Sequence, residues 1–331
     1  MWVCCSTSGC AGSPRGPRRK AAATAAWIRR GRVDESVGYR SGFIGIIGRP
    51  NVGKSTLLNR LAGVKLAITS DKPQTTRNRI RAVVTSDEAQ LVFVDTPGFH
   101  KPREALGEKL NAMVLSTLRD VDVILFVMDG AQTIGKGDLF IAGELEKVDT
   151  PAIALVNKVD LLDEDKSRSQ LEVARHLFAF ADVLPVSAKF GAGLEQLIER
   201  IGSFLPPGPK YFPDDMTSDQ PENVLVSELI REKALELTRD EVPHSVAVLV
   251  EDIKARPQGD IVDVEAVIYV ERESQKGIIV GKGGRMIKEI GTRARQDIEP
   301  LIGNKVFLDL RVKVEKDWSK NPEFIKRLDY Q

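Results

Sequence analysis

Cysteine is almost missing from this chain. Cys4, Cys5 and Cys10 are the only ones in 331 residues. Beyond position 10 no disulfide framework and no cysteine metal site can form, which suits a reducing compartment. Long apolar runs are missing as well: none reaches the roughly 18 residues a transmembrane helix needs. Acid is missing at one end. Arg15, Arg18, Arg19, Lys20, Arg29, Arg30 and Arg32 precede the first acid, Asp34. The formal net charge of +1 (48 Lys and Arg, 47 Asp and Glu) hides this asymmetry. With those seven basic residues set aside, the body is acidic by about six charges. Affinity for nucleic acid must therefore come from a local patch.

What is present is ordinary for a soluble globular protein: 42% hydrophobic, 29% charged and 6% aromatic. A length of 331 residues exceeds one typical domain, so two are expected. Residues 1–40 are basic, hydroxylated and acid-poor, the composition of an organellar transit peptide. A secretory signal is excluded, because no apolar stretch follows the basic part. A plastid is favoured over a mitochondrion on composition. A disordered basic tail, with a bacterial-type cytoplasmic location, is the alternative.

From residue 43 the chain alternates short apolar runs with amphipathic segments. Phe43–Ile47, Leu91–Asp95, Val123–Met128, Ala152–Val156 and Asp182–Val186 read as buried strands. Ser55–Leu61, Asp138–Lys147, Ser167–Phe180 and Leu194–Phe204 read as the helices between them. This alternation predicts an α/β domain over 41–204 with a doubly wound, mostly parallel sheet. Ligands bind such sheets at the carboxyl ends of the strands. The proline-rich stretch from Leu205 through Pro221 can neither continue a helix nor enter a central strand, so 205–222 reads as a linker. Beyond it, 223–317 reads as an α+β domain: helix Asn223–Arg239, strands Val246–Glu251 and Val262–Glu271, a glycine-rich loop opening a helix, and strand Val306–Val314. Residues 318–331 form a closing tail, whose Trp318 and Phe324 are read as packing groups. No internal repeat is present.

Gly48-Arg49-Pro50-Asn51-Val52-Gly53-Lys54-Ser55 fits the P-loop pattern between a strand and a helix, continued by Thr56. Its glycines let backbone N–H groups wrap phosphates, and the helix N-terminus adds positive potential. Lys54 can reach the β- and γ-phosphates, and the Ser55 hydroxyl can hold Mg²⁺. The base is read from Asn157-Lys158-Val159-Asp160 at the end of a buried strand. A carboxylate at Asp160 matches the two adjacent N–H donors of guanine, a pair that adenine lacks. The Lys158 stem can cover the base, and Ser187-Ala188-Lys189 can aim a backbone N–H at guanine O6. Asp95-Thr96-Pro97-Gly98 ends a strand beside the P-loop. There Asp95 can hold Mg²⁺ through water, and the Gly98 N–H can sense a γ-phosphate. Gln74-Thr75-Thr76-Arg77 lies in a stretch, 64–78, read as structureless and therefore as a switch. Its hydroxyl for Mg²⁺ is assigned to Thr76, with Thr75 as the alternative.

With those motifs in this order, the chain resembles the translation-factor-related GTPases and, within them, the Era family. The resemblance extends over roughly 41–331. It implies GTP hydrolysis to GDP, and Phe99, where Ras-like enzymes place a water-orienting glutamine, implies that the intrinsic rate is slow. It also implies that Asn51 helps bind a potassium ion that assists catalysis. In the second domain, Ile278-Ile-Val-Gly281-Lys282-Gly283-Gly284-Arg285-Met-Ile-Lys288 matches the G-x-x-G element of a KH (type II) module. The glycines let a sugar–phosphate chain approach, and Lys282, Arg285 and Lys288 add cations.

The resemblance further implies that the RNA is the 3′ end of small-subunit ribosomal RNA in the pre-small subunit, that the protein assists assembly of that subunit, and that it is a monomer with no DNA partner. Peripheral membrane association is left open. GTP would order 64–78 and 96–112 and so change how the domains sit. A rival reading is an RNA-binding adaptor whose nucleotide site does not turn over. GTPases that modify tRNA or remodel membranes lack a KH element after the linker.

Overall fold

In this computed structural model, described over residues 38–69, 79–98, 105–239, 242–257 and 259–328, the continuous apolar runs become the inside of a sheet. Strands β4 (Val123–Asp129) and β5 (Ala152–Asn157) are buried along their whole length, as expected of strands covered on both faces. With β1 (Arg40–Ile47), β2 (Ile80–Thr85), β3 (Ala89–Asp95) and β6 (Asp182–Pro185) they form a six-stranded sheet in the order β2-β3-β1-β4-β5-β6. Only the β2–β3 pair is antiparallel.

Helices α1 (Lys54–Ala62) and α5 (Leu194–Phe204) cover one face; α2 (Ala105–Asp120), α3 (Lys136–Leu145) and α4 (Glu164–Arg175) cover the other. Alternate residues of β1 supply the two cores: Ile44 and Ile46 pack with Leu57 and Leu58, and Ile47 packs with Phe126 and Val114.

The second domain begins with α6 (Glu222–Leu237) and the short α7 (Val242–Ser245). Strands β7 (Ala247–Ala255) and β8 (Ile261–Val270) follow, then α8 (Glu273–Val280), α9 (Arg285–Ile302) and β9 (Lys305–Val314). The sheet order is β7-β8-β9, antiparallel then parallel. In β9 the expected alternation is seen: Val306, Leu308, Leu310, Val312 and Val314 pack into one core while their neighbours are exposed. The other face is covered by the chain end. Trp318, fully buried, donates Nε1–H to the Ser245 carbonyl at 2.8 Å. It clusters with Phe324, Ile325 and Leu328 of α10 (Pro322–Arg327) and the residue after it, with Tyr269, and with Leu106, Leu110 and Met113 of α2.

Several expectations need correction. The stretch from 64 is not structureless at its start: Leu66, Ala67 and Ile68 are buried, and Asn59 Oδ1 accepts the Leu66 and Ala67 N–H groups. Gln74, Thr75, Thr76, Arg77 and Phe99 lie outside the described residues, as does 1–37. The span 96–112 is part helix, since α2 starts at Ala105 and buries an apolar stripe on the second domain. Strand β2 and helix α8 were not expected as elements. The helix expected over 167–180 runs from Glu164 to Arg175, because Asp163 caps it by accepting the Lys166 N–H at 2.8 Å. Its end is early because Leu177, Phe178 and Phe180 turn into the core. The linker is not a loose spacer either. Gln90 accepts the Tyr211 and Phe212 N–H groups at 2.7 and 2.9 Å, and Val83 N–H donates to the Thr217 carbonyl at 2.9 Å.

Candidate functional site

The first site forms where β1, β3, β4 and β5 end. The P-loop leaves β1 with Asn51 in the left-handed region (φ 64°) and enters α1 at Lys54. Gly53 is required here, since a Cβ would lie 2.3 Å from Asn157 Nδ2 and φ is 100°. Lys54 is 6% exposed, and its Nζ donates to the carbonyls of Gly48 (3.2 Å) and Arg49 (2.9 Å). Burial pulls its pKa down to about 8, partly opposed by Asp95. A cation held by carbonyl partners at a helix N-terminus is suited to meet a polyphosphate.

The Ser55 hydroxyl donates to Asp95 Oδ2 at 2.8 Å. A hydroxyl and a carboxylate oxygen this close, beside the phosphate loop, are the hard oxygen donors that Mg²⁺ takes. No cluster of three or more His, Cys, Asp or Glu suited to a metal occurs among the described residues. Mg²⁺ here would therefore complete its shell with phosphate oxygens and water, as it does in nucleotide sites. Thr96 is buried and donates to the Ile46 carbonyl at 2.8 Å, Pro97 is buried, and Gly98 sits against Pro50. Thr56 lies half-buried in the first turn of α1.

On the base side, Asn157 joins three segments. Its Nδ2 donates to the Val52 carbonyl at 2.8 Å, and its Oδ1 accepts the Ala188 N–H at 2.9 Å. Of the backbone N–H groups in 187–189, from which one was expected to face guanine O6, that of Ala188 fixes Asn157 and that of Ser187 donates to the Ala192 carbonyl at 3.0 Å. Lys158, also left-handed at φ 64°, donates to the Asn51 carbonyl (2.9 Å) and to Asp129 Oδ2 (2.7 Å). The Ser187 hydroxyl donates to Asp160 Oδ1 at 2.5 Å, which leaves the exposed carboxylate aligned with the loop. Lys189 is exposed next to it, with Nζ 5.1 Å from the Phe190 ring centroid.

Two residues escaped the sequence reading. Asp129 ends the apolar strand β4 opposite Asn157, is 4% exposed, and also accepts from Ala131 N–H and Gln132. A charge closing an apolar run was the available signal. Asp138, 1% exposed, accepts from Arg49 Nε (2.8 Å) and from the Gly135 N–H (2.9 Å), tying the P-loop to α3.

The second site lies between α8 and α9. Gly281 (φ 70°) closes α8, and a Cβ there would sit 2.7 Å from that of Met286, so the loop needs glycine. Gly283 and Gly284 also have positive φ. Lys282, Gly283 and Arg285 line this loop, with Lys288 one turn into α9, and the first turn of α9 carries no acid. A bare backbone loop, a helix N-terminus and three cations form a surface for phosphate.

Residues 43–158 match the 50S ribosome-binding GTPase family, and residues 241–319 match the KH domain family. GTPase Era of Alkaliphilus metalliredigens (strain QYMF) is 50% identical over 293 residues, covering 88% of this chain and 99% of that protein. GTPase Era of Caldanaerobacter subterraneus subsp. tengcongensis is 50% identical over 292 residues, covering 88% and 98%. Among solved structures, Era in complex with MgGDPNP and nucleotides 1506–1542 of 16S ribosomal RNA aligns with TM-score 0.86 at 38% identity, covering 88% of this chain and 99% of that one. A single-residue variant of Aquifex aeolicus Era bound to GDP·AlF4⁻ aligns with TM-score 0.85, again at 38% identity and the same coverage. With a GTPase domain, a KH domain and this identity across nearly the whole of its relatives, the chain belongs to the Era family of GTPases.

Proposed function

We propose that this protein is a GTP-hydrolysing switch that grips the 3′ end of small-subunit ribosomal RNA through its KH loop and assists assembly of that subunit. The observation that carries this reading is the pairing of both sites in one chain, in the arrangement of the Era crystallised with MgGDPNP and a 16S ribosomal RNA segment. Lys54 and the backbone of 48–53 would hold the phosphates; Ser55, Thr76 and, through water, Asp95 would hold Mg²⁺, which would supply charge neutralisation on the phosphates. Asn157, Lys158, Asp160 and the 187–189 loop select guanine. Gly281–Gly284, Arg285 and Lys288 take the RNA backbone. The test is phosphate release with and without an RNA carrying the 3′ end of the small-subunit sequence. Turnover that RNA changes supports the switch. Nucleotide binding without turnover supports an adaptor instead.

Asn51 is assigned a potassium ion that assists hydrolysis. Activity in potassium should exceed activity in sodium, and Asn51→Ala should remove the difference; equal rates in the parent would end this assignment. Residues 1–40 are assigned as a plastid-directing segment. A fluorescent fusion of 1–40 tests this: plastid import supports it, whereas a mitochondrial or diffuse signal contradicts it.

A further inference from the structure

The phosphate loop is tied down along its length, and its two halves are held by different partners. In the second half the partners belong to the base-reading loop: Lys158 Nζ donates to the Asn51 carbonyl at 2.9 Å, and Asn157 Nδ2 to the Val52 carbonyl at 2.8 Å. In the first half the partner is a helix that takes no part in base reading. Arg49 Nε donates to Asp138 Oδ1 of α3 at 2.8 Å, and Asp138 Oδ2 accepts the Gly135 N–H at 2.9 Å. The carbonyl of the same Arg49 accepts Lys54 Nζ at 2.9 Å. One residue thus joins α3 to the lysine that meets the phosphates.

Helix capping alone does not account for Asp138. Its bond to the Gly135 N–H needs only a side-chain oxygen at the start of α3, which an exposed residue would supply equally well. Here the side chain is 1% exposed, and that of Arg49 is 22% exposed. A buried carboxylate is costly unless a cation and hydrogen bonds compensate it, and removing the cation leaves the charge stranded. The start of α3 is also shaped around the arginine. A Cβ at Gly137 would lie 2.8 Å from Arg49 Cδ and 3.1 Å from Cγ, so this glycine leaves the room that the stem fills. The helix itself is a fixed point, since Ile141 and Leu145 lie in the core with Phe126 and Met128 of β4.

We infer that Asp138 is a positioning residue for GTP and GDP alike: it fixes Arg49, and Arg49 keeps its carbonyl where Lys54 needs it. The cost of ordering the first half of the loop then does not fall on nucleotide binding. This rests on the nucleotide site alone and not on the RNA reading. Both nucleotides carry the β-phosphate that the lysine meets, so the contribution is common to ground state and transition state. Its loss should therefore raise KM while kcat changes little.

The test uses the full chain and three variants: Arg49→Met, Asp138→Asn and the two combined. Arg49→Met strands the buried carboxylate, so both the unfolding temperature and the nucleotide affinity should fall. Asp138→Asn keeps an oxygen for the Gly135 N–H and removes the charge. Combined with Arg49→Met it relieves the stranded charge, so the double variant should unfold nearer to the parent than Arg49→Met does. Its affinities for GTP and GDP should nonetheless stay about tenfold below those of the parent, with KM for GTP raised to match and kcat within about twofold. Asp138→Asn alone should lose about threefold, because the amide oxygen still accepts from Arg49 but without charge. Parental affinity in the double variant would show that Asp138 serves only the fold, and would overturn the inference. So would parental affinity in folded Arg49→Met, or a fall in kcat in place of the rise in KM. If Arg49→Met does not fold, the double variant decides alone.

Discussion

Asn157 donates from Nδ2 to the Val52 carbonyl at 2.8 Å, so the base-reading loop and the phosphate loop are one rigid unit. The unit leaves Asp160 to do the reading. Its carboxylate is held by the Ser187 hydroxyl, which an amide oxygen could also accept.

Asp160→Asn should therefore fold normally but present an amide to two guanine donors. GTP affinity should fall by about 2–3 kcal/mol, with xanthosine triphosphate partly restored. Titration with both nucleotides checks this; parental GTP binding would remove Asp160 from the site.

Lys54 titrates at about 8 in the folded protein against 10.5 for an ordinary lysine. Between these values the unfolded chain binds more protons than the native state, so the penalty of burying the charge is relieved as pH rises and stability increases across that window. Nucleotide binding should act the opposite way. Phosphate restores the ammonium, so binding just above pH 8 should take up protons, and affinity should weaken as pH climbs further. Calorimetry in buffers of different ionisation heat reads the uptake, and none at that pH would contradict the assigned contact.

Trp318→Ala removes the largest side chain from the cluster joining the chain end, the KH sheet and α2. A loss of about 3–5 kcal/mol in unfolding free energy is expected. Denaturant unfolding measures it. A loss below about 1 kcal/mol would mean that this layer collapses around the gap.

The motifs that carry local chemistry were legible in the sequence because each is a short string with a fixed geometry. The P-loop and the Asn157–Asp160 loop appear where their flanking strands and helices placed them, and the G-x-x-G loop opens α9 as expected although the helix before it, α8, was not. Helix α2 was hidden because its apolar residues divide between two faces, Val114 and Leu118 on the sheet and Leu106, Leu110 and Met113 on the second domain, so no single stripe marks it. Strand β2 was hidden as a short edge strand whose partner lies across a hairpin. The ion pair of Lys65 with Glu232 could not be read at all, since the two stand 167 positions apart and only tertiary packing brings them near. Asp129 and Asp138 fall between these cases: each is a buried acid at the end of an apolar run or in a helix's first turn, a pattern that hints at a partner without naming it.

That one chain carries two separable sites is tested most directly at the RNA loop. Lys282 is exposed, and a Cβ at Gly283 meets nothing within 4 Å. Aspartate tolerates a φ of 61° better than most residues, so Lys282→Asp with Gly283→Asp should leave the fold intact. The measurement is RNA affinity and basal GTP hydrolysis on the same preparation of the double variant. RNA affinity should fall at least about tenfold, about 1.4 kcal/mol, because two added charges and one lost cation oppose phosphate. Basal hydrolysis should stay near that of the parent. Full RNA affinity in the folded double variant would show that this loop is only a turn between two helices.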